Sequence, residues 1–333
     1  MASPLHGQQP HGTRPSAPRP RPGRLRRALV ALLVAGSVAV PLSGAARPGA
    51  VQAPAPAVLP PLSLAGLDAR FEENRTAVVA AERMARDNGN RRRARVLGAM
   101  AEPGRHFLSF DGRDGGRTAE VVGDLAHADR IAVLVPGSDT SLDLYGRLRD
   151  DALALAGQLG PHGAVIAWMG YETPSTTSPE ILTAGRAEQA APQLSGFTRE
   201  LRSAIPAARV SLLCHSYGSV VCAKAASDVS VTAVVLYASP GTGYDTAASL
   251  HTHAVVWAGR ARADWIADVP HIRIRLPWGT LGFGTDPVSR QFGARLFDAG
   301  AGGHSDYLAP GSVSLKNIAE IVDGRSPREV RHA

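Results

Sequence analysis

Hydrophobic and polar positions follow two rhythms along this 333-residue chain. Short apolar runs rich in β-branched residues occupy 106–110, 118–122, 131–135, 164–168, 210–213, 232–237, 254–257 and 295–297, several of them closed by Gly, Pro or Asp. Runs of that length and content predict strands. In 142–159, 181–205, 217–226 and 314–322 the apolar positions recur at helical spacing instead. Two strands followed by alternating strand and helix predict an α/β fold with a mostly parallel central sheet and helices on both faces. Residues 272–276 read either as one more strand or as loop.

Ahead of the sheet, Leu67, Phe71, Val78, Val79 and Met84 give 63–101 a helical pattern, broken at Asn88-Gly89-Asn90. This helical prefix carries Arg91-Arg92-Arg93, which reads as a solvated face. The Pro/Ala-rich stretch 47–62 reads as a solvated linker. Residues 1–46 have an Arg-rich start, an apolar core at 28–42 and the small residues Ser43-Gly44-Ala45-Ala46. That order is the pattern of an export signal, which predicts a secreted or cell-envelope protein. The core is broken by Gly36, Ser37 and Pro41 and falls short of the roughly 20 residues that span a bilayer. Cleavage is therefore the expectation, with membrane association through an uncleaved N-terminal segment as the alternative. The α/β domain is expected over 102–325, with a short tail at 326–333.

The formal charge of +7 changes meaning once its location is considered. All six charged residues before position 47 are arginines, so 47–333 is close to neutral, at about +1. A nucleic-acid partner is not expected, because it would require a basic patch on the folded domain. The two cysteines, Cys214 and Cys222, fall on a predicted strand end and on the following helix, and are expected as buried thiols. No metal-ligand spacing is present and no cofactor is expected.

Candidate chemistry centres on Arg209–Ala226, RVSLLCHSYGSVVCAKAA, which predicts strand, sharp turn at Ser216, then helix. A serine on such a strained elbow projects its hydroxyl above the sheet, and the positions two before and two after must be small. Here they are Cys214 and Gly218. A serine hydroxyl needs a base to become a nucleophile. His304, in a Gly-rich loop after the last predicted strand, is the candidate. A carboxylate should orient it. Asp264, in the loop after the 254–257 strand, is preferred, Asp245 is the rival, and Asp268 and Asp286 remain open. Two N–H donors should face the oxyanion. Tyr217 supplies one at the helix start and Ser138 the other, with Gly137 or Asp139 as neighbours. Trp168 and Tyr171, at a strand end on the same side of the sheet, are expected to line the substrate pocket.

Several ordered blocks carry a wider resemblance: residues 123–129 (GDLAHAD), 134–137 (LVPG), 168–174 (WMGYETP), 215–219 (HSYGS), 239–241 (SPG) and 303–307 (GHSDY). Together, over about 66–324, they resemble a group of uncharacterised bacterial α/β hydrolases. The resemblance implies Ser216 and His304 in the nucleophile and base positions and says little about substrate. Cys214 stands where that family usually has glycine. The expectation is an esterase or lipase-like enzyme acting on a small-molecule or lipid-like ester. A binding protein on the same fold, or a peptidase or amidase, are the alternatives.

Overall fold

The computed structural model describes residues 51–277 and 279–327. The export signal expected at 1–46 and most of the tail lie outside the described residues. Among these, no helix is long and apolar enough to cross a membrane.

The strands are β1 (His106–Asp111), β2 (Arg117–Val122), β3 (Arg130–Val135), β4 (Gly163–Met169), β5 (Arg209–His215), β6 (Ala233–Tyr237), β7 (Val255–Gly259), β8 (Ile274–Leu276), β9 (Gly279–Leu281) and β10 (Arg295–Leu296). The helices are α1 (Leu67–Asp87), α2 (Arg91–Met100), α3 (Gly146–Leu159), α4 (Gly185–Ala204), α5 (Gly218–Ala225) and α6 (Val313–Val322). Eight strands form one sheet in the order β1-β2-β4-β3-β5-β6-β7-β10. β1 and β2 form an antiparallel hairpin, β2 is also antiparallel to β4, and the remaining pairs are parallel. β8 and β9 form a separate antiparallel hairpin, which resolves the ambiguous 272–276 stretch into strand.

The central strands are buried on both faces because helices cover both. Along β3, Ile131, Val133 and Val135 enter one core and Ala132 and Leu134 the other, the two-residue period of a pleated strand. The helical prefix belongs to this architecture. α1 and α2 bury Val78, Ala81, Leu97 and Met100 beside Phe107 and Phe110 of β1. Asn74 Nδ2 donates to the Phe107 carbonyl at 2.9 Å, closing a backbone group that burial would otherwise strand. At the predicted break, Gly89 takes φ 71° and the Asn90 side chain caps α2 by accepting from Arg93 N.

Three expectations need correction. Arg93 is not on a solvated face: it is 1% exposed, paired with Asp143 at 2.9 Å, and donates to the carbonyls of Gly112 and Asp114. Residues 51–62 have no regular structure, yet they are tied to the domain. Val51 O accepts from Asp114 N, and Leu62 N donates to Glu200 Oε1 at 2.7 Å. Cys214 and Cys222 are not thiols but a disulfide with Cα atoms 6.3 Å apart. The elbow folds α5 back along β5, which brings both residues within the roughly 7 Å that a bridge requires.

Candidate active site

The parallel strands end on one side of the sheet, where loops can converge. Ser216 sits at the end of β5 with φ 51°, a left-handed conformation that a non-glycine residue adopts at a cost of order 1–3 kcal/mol. Its N–H donates to the Tyr237 carbonyl on β6, and its carbonyl accepts from Ser219 N as α5 begins. Gly218 is required by space: a Cβ there would stand 2.5 Å from the Val135 carbonyl oxygen and 2.7 Å from that of Pro136. The elbow is thus wedged against the end of β3, and the Cys214–Cys222 disulfide ties its two arms together.

His304 lies in the loop between β10 and α6, in a turn closed by Asp306 N donating to the Gly303 carbonyl. Its Nε2 is 3.0 Å from Ser216 Oγ and its Nδ1 is 2.8 Å from Asp264 Oδ1. With Nδ1 facing a carboxylate, that nitrogen carries the proton and Nε2 is free to accept one from the serine. Ser216 is 9% exposed and the His304 side chain 14%, so the pair is reachable but narrowly.

Asp264 is the carboxylate that reaches His304. It caps the short 3-10 turn Trp265–Asp268 by accepting from Ile266 N at 2.9 Å, and its other oxygen accepts from Tyr307 Oη at 2.7 Å. Burial pushes its carboxyl up, but the donors from His304, Ile266 N and Tyr307 outweigh it and hold it below the ordinary carboxylate range. The rivals are engaged elsewhere. Asp245 pairs with Arg273 at 2.7 Å and is largely exposed, Asp286 pairs with Arg260 at 2.6 Å, and Asp268 ends the 3-10 turn at the surface.

The loop after β3 meets Ser216. A Cβ on Gly137 would stand 2.8 Å from Ser216 Cβ, which puts Ser138 at the rim of the site. Among the described backbone bonds, neither Ser138 N nor Tyr217 N is taken by a carbonyl, and Ser138 Oγ is buried without a partner. Asp139, at φ 55°, pins the loop by accepting from Thr176 N at 3.1 Å. The Tyr217 ring is buried and its Oη donates to the Thr183 carbonyl and accepts from Ala187 N, fixing the start of α4.

Trp168 and Tyr171 do not line an open pocket. Each is 3% exposed, their rings stack at 6.1 Å, and Tyr171 Oη donates to the Pro136 carbonyl at 2.7 Å. Burial raises the Tyr171 hydroxyl well above its usual range, so it stays a neutral donor. It supports the loop carrying Gly137 and Ser138 from behind. An aromatic at a strand end can face the core as easily as the ligand, and the strand pattern alone does not separate the two.

Three features were missed by sequence reasoning. His215, next to the elbow serine, faces the site: its Nε2 donates to the His304 carbonyl at 2.8 Å, and burial followed by the neighbouring His304 lowers it to about 4, so it is neutral. Tyr307 holds Asp264, a role that its position three residues after His304 could have suggested. The long excursion between β7 and β10, which contains the 3-10 turn and the β8–β9 hairpin, delivers both Asp264 and Trp265.

A family model described as alpha/beta hydrolase matches residues 111–274. The chain resembles the α/β hydrolases and has the fold expected from that resemblance. The chain is 31% identical over 252 residues to uncharacterized proteins from two strains of Mycobacterium tuberculosis, covering 65% of this chain and 38% of those proteins. It therefore spans well under half the length of the curated relatives it matches. Among solved structures it is similar to esterase PE8, at 15% identity and a TM-score of 0.42 over 61% of this chain and 96% of that one. The esterase LipW from Mycobacterium marinum is similar at 13% identity and a TM-score of 0.41, over 77% of this chain and 95% of that one. At that level of likeness they say nothing about substrate.

Proposed function

We propose that this protein is a serine hydrolase of carboxylic esters that works through an acyl-enzyme on Ser216. The observation that carries the reading is the continuous hydrogen-bonded line from Asp264 through His304 to Ser216 at a strained elbow. His304 Nε2 takes the Ser216 proton as Oγ attacks the ester carbonyl. The oxyanion that forms is met by the N–H groups of Tyr217 and Ser138. The imidazolium is stabilised by buried Asp264, and its proton passes to the leaving alcohol. Water, activated by the same imidazole, then releases the acid from Ser216.

The test is pre-steady-state hydrolysis of a p-nitrophenyl ester by residues 47–333. A burst of nitrophenol equal to the enzyme concentration, followed by a slower steady rate, is expected. Asp264→Asn should lower kcat by about 10³–10⁴-fold, because the amide no longer imposes the Nδ1–H tautomer. A folded protein without turnover on short esters would turn the reading toward a binding protein on this fold.

A further inference from the structure

During acyl transfer the leaving oxygen must lie beside His304 Nε2, while the carbonyl oxygen is directed at the N–H groups of Tyr217 and Ser138. The surroundings of the His304 ring therefore meet the departing alcohol. One neighbour, His215, has its ring centroid 5.0 Å away and is committed to the His304 carbonyl. A second, Trp265, tilts over the imidazole with centroids 4.4 Å apart and an interplanar angle of 35°. Trp265 follows the carboxylate directly in sequence and opens the 3-10 turn that Asp264 caps, so the element that places the acid also places the indole.

Among the described tryptophans, the exposure of this indole sets it apart. Trp168 and Trp257 are 3% and 4% exposed, whereas Trp265 is 53% exposed. An indole carries a large apolar surface whose burial is favourable, and Trp265 leaves half of it in water beside the reacting centre. We propose that Trp265 is the platform on which the leaving group rests, and that the substrates are esters whose alcohol presents an apolar or aromatic face. This rests on the serine-hydrolase reading and deepens it. In the step concerned, Ser216 Oγ bonds to the carbonyl carbon and its proton moves to His304 Nε2. The carbon–oxygen bond to the alcohol then breaks, and the Nε2 proton goes to that oxygen. The products are acyl-Ser216, neutral His304 and a free alcohol lying against Trp265.

The experiment compares kcat/KM for methyl, butyl and benzyl acetate, which vary the alcohol, with methyl acetate, butyrate and octanoate, which vary the acid. Wild type, Trp265→Ala and Trp265→Phe are measured, with Trp265→Leu replacing the alanine variant if that chain does not fold. The benzyl-to-methyl acetate ratio should fall roughly tenfold in Trp265→Ala and be largely restored in Trp265→Phe, while ratios along the acyl series stay within about twofold. An equal loss on every ester would mean that the indole only braces His304, and would overturn the platform. A change confined to the acyl series would overturn it as well. Fluorophosphonate labelling separates the two levels: a labelled wild type with unmoved ratios sinks the platform alone, and an unlabelled wild type sinks the hydrolase reading with it.

Discussion

Tyr307 Oη donates to Asp264 Oδ2 at 2.7 Å and accepts from Ala261 N at 2.9 Å. One buried phenol thus ties the carboxylate that faces His304 to the loop leaving β7. Burial raises the Tyr307 hydroxyl far above its ordinary range, so it remains a donor wherever the fold persists.

Tyr307→Phe removes that donor without emptying the site. A hydrogen bond to a charged group contributes about 1.5–3 kcal/mol, so kcat/KM should fall roughly ten- to hundredfold, chiefly in kcat. Steady-state kinetics of the variant on one good ester check this. Unchanged kcat would show that Asp264 is held well enough by Ile266 N and His304 alone.

His215 gives the fold an acid limb. Its ring packs among those of Tyr237, His304 and Tyr307, and its titration is lowered to about 4. In the unfolded chain it would titrate near 6.5, so between these values the unfolded state binds more protons and stability falls as pH drops. The loss across the window should be roughly 2–3 kcal/mol. His215→Gln keeps a donor for the His304 carbonyl and should flatten this part of the curve. Urea unfolding at pH 7 and pH 4.5, for both proteins, gives the difference directly.

The Cys214–Cys222 bridge should be present in protein made under oxidising conditions, seen as resistance of the unreduced, denatured chain to alkylation. Replacing both cysteines by serine should lower stability by about 2–4 kcal/mol, a Tm drop of roughly 5–10 °C for a domain of this size. Because the bridge spans the elbow, the variant should also label more slowly at Ser216. Two alkylated cysteines in the native protein would remove this clamp.

Much of the architecture was legible because strand and helix periodicity is local. The apolar runs at 131–135, 164–168 and 210–213 became β3, β4 and β5 with ends moved by one or two residues. Ser216, Asp264 and His304 could be picked out because each follows a strand, and the geometry of parallel sheets sends strand ends to one side. What was not legible depends on three-dimensional return. Arg93 reads as surface until the chain 50 residues later brings Asp143 to it. Trp168 and Tyr171 read as pocket until α4 places Phe197 6.3 Å from Trp168 and closes that face into core. The two cysteines read as separate until the tightness of the elbow is known.

The central claim is that Ser216 is an activated nucleophile. The most direct measurement is labelling of purified residues 47–333 with a fluorophosphonate, located by peptide mass spectrometry, beside Ser216→Ala and His304→Ala. The account predicts one modified residue, Ser216, with labelling absent in Ser216→Ala and slowed at least about a hundredfold in His304→Ala. Labelling of Ser216 that proceeds at the wild-type rate without His304 would contradict it, as would a folded wild type that does not react.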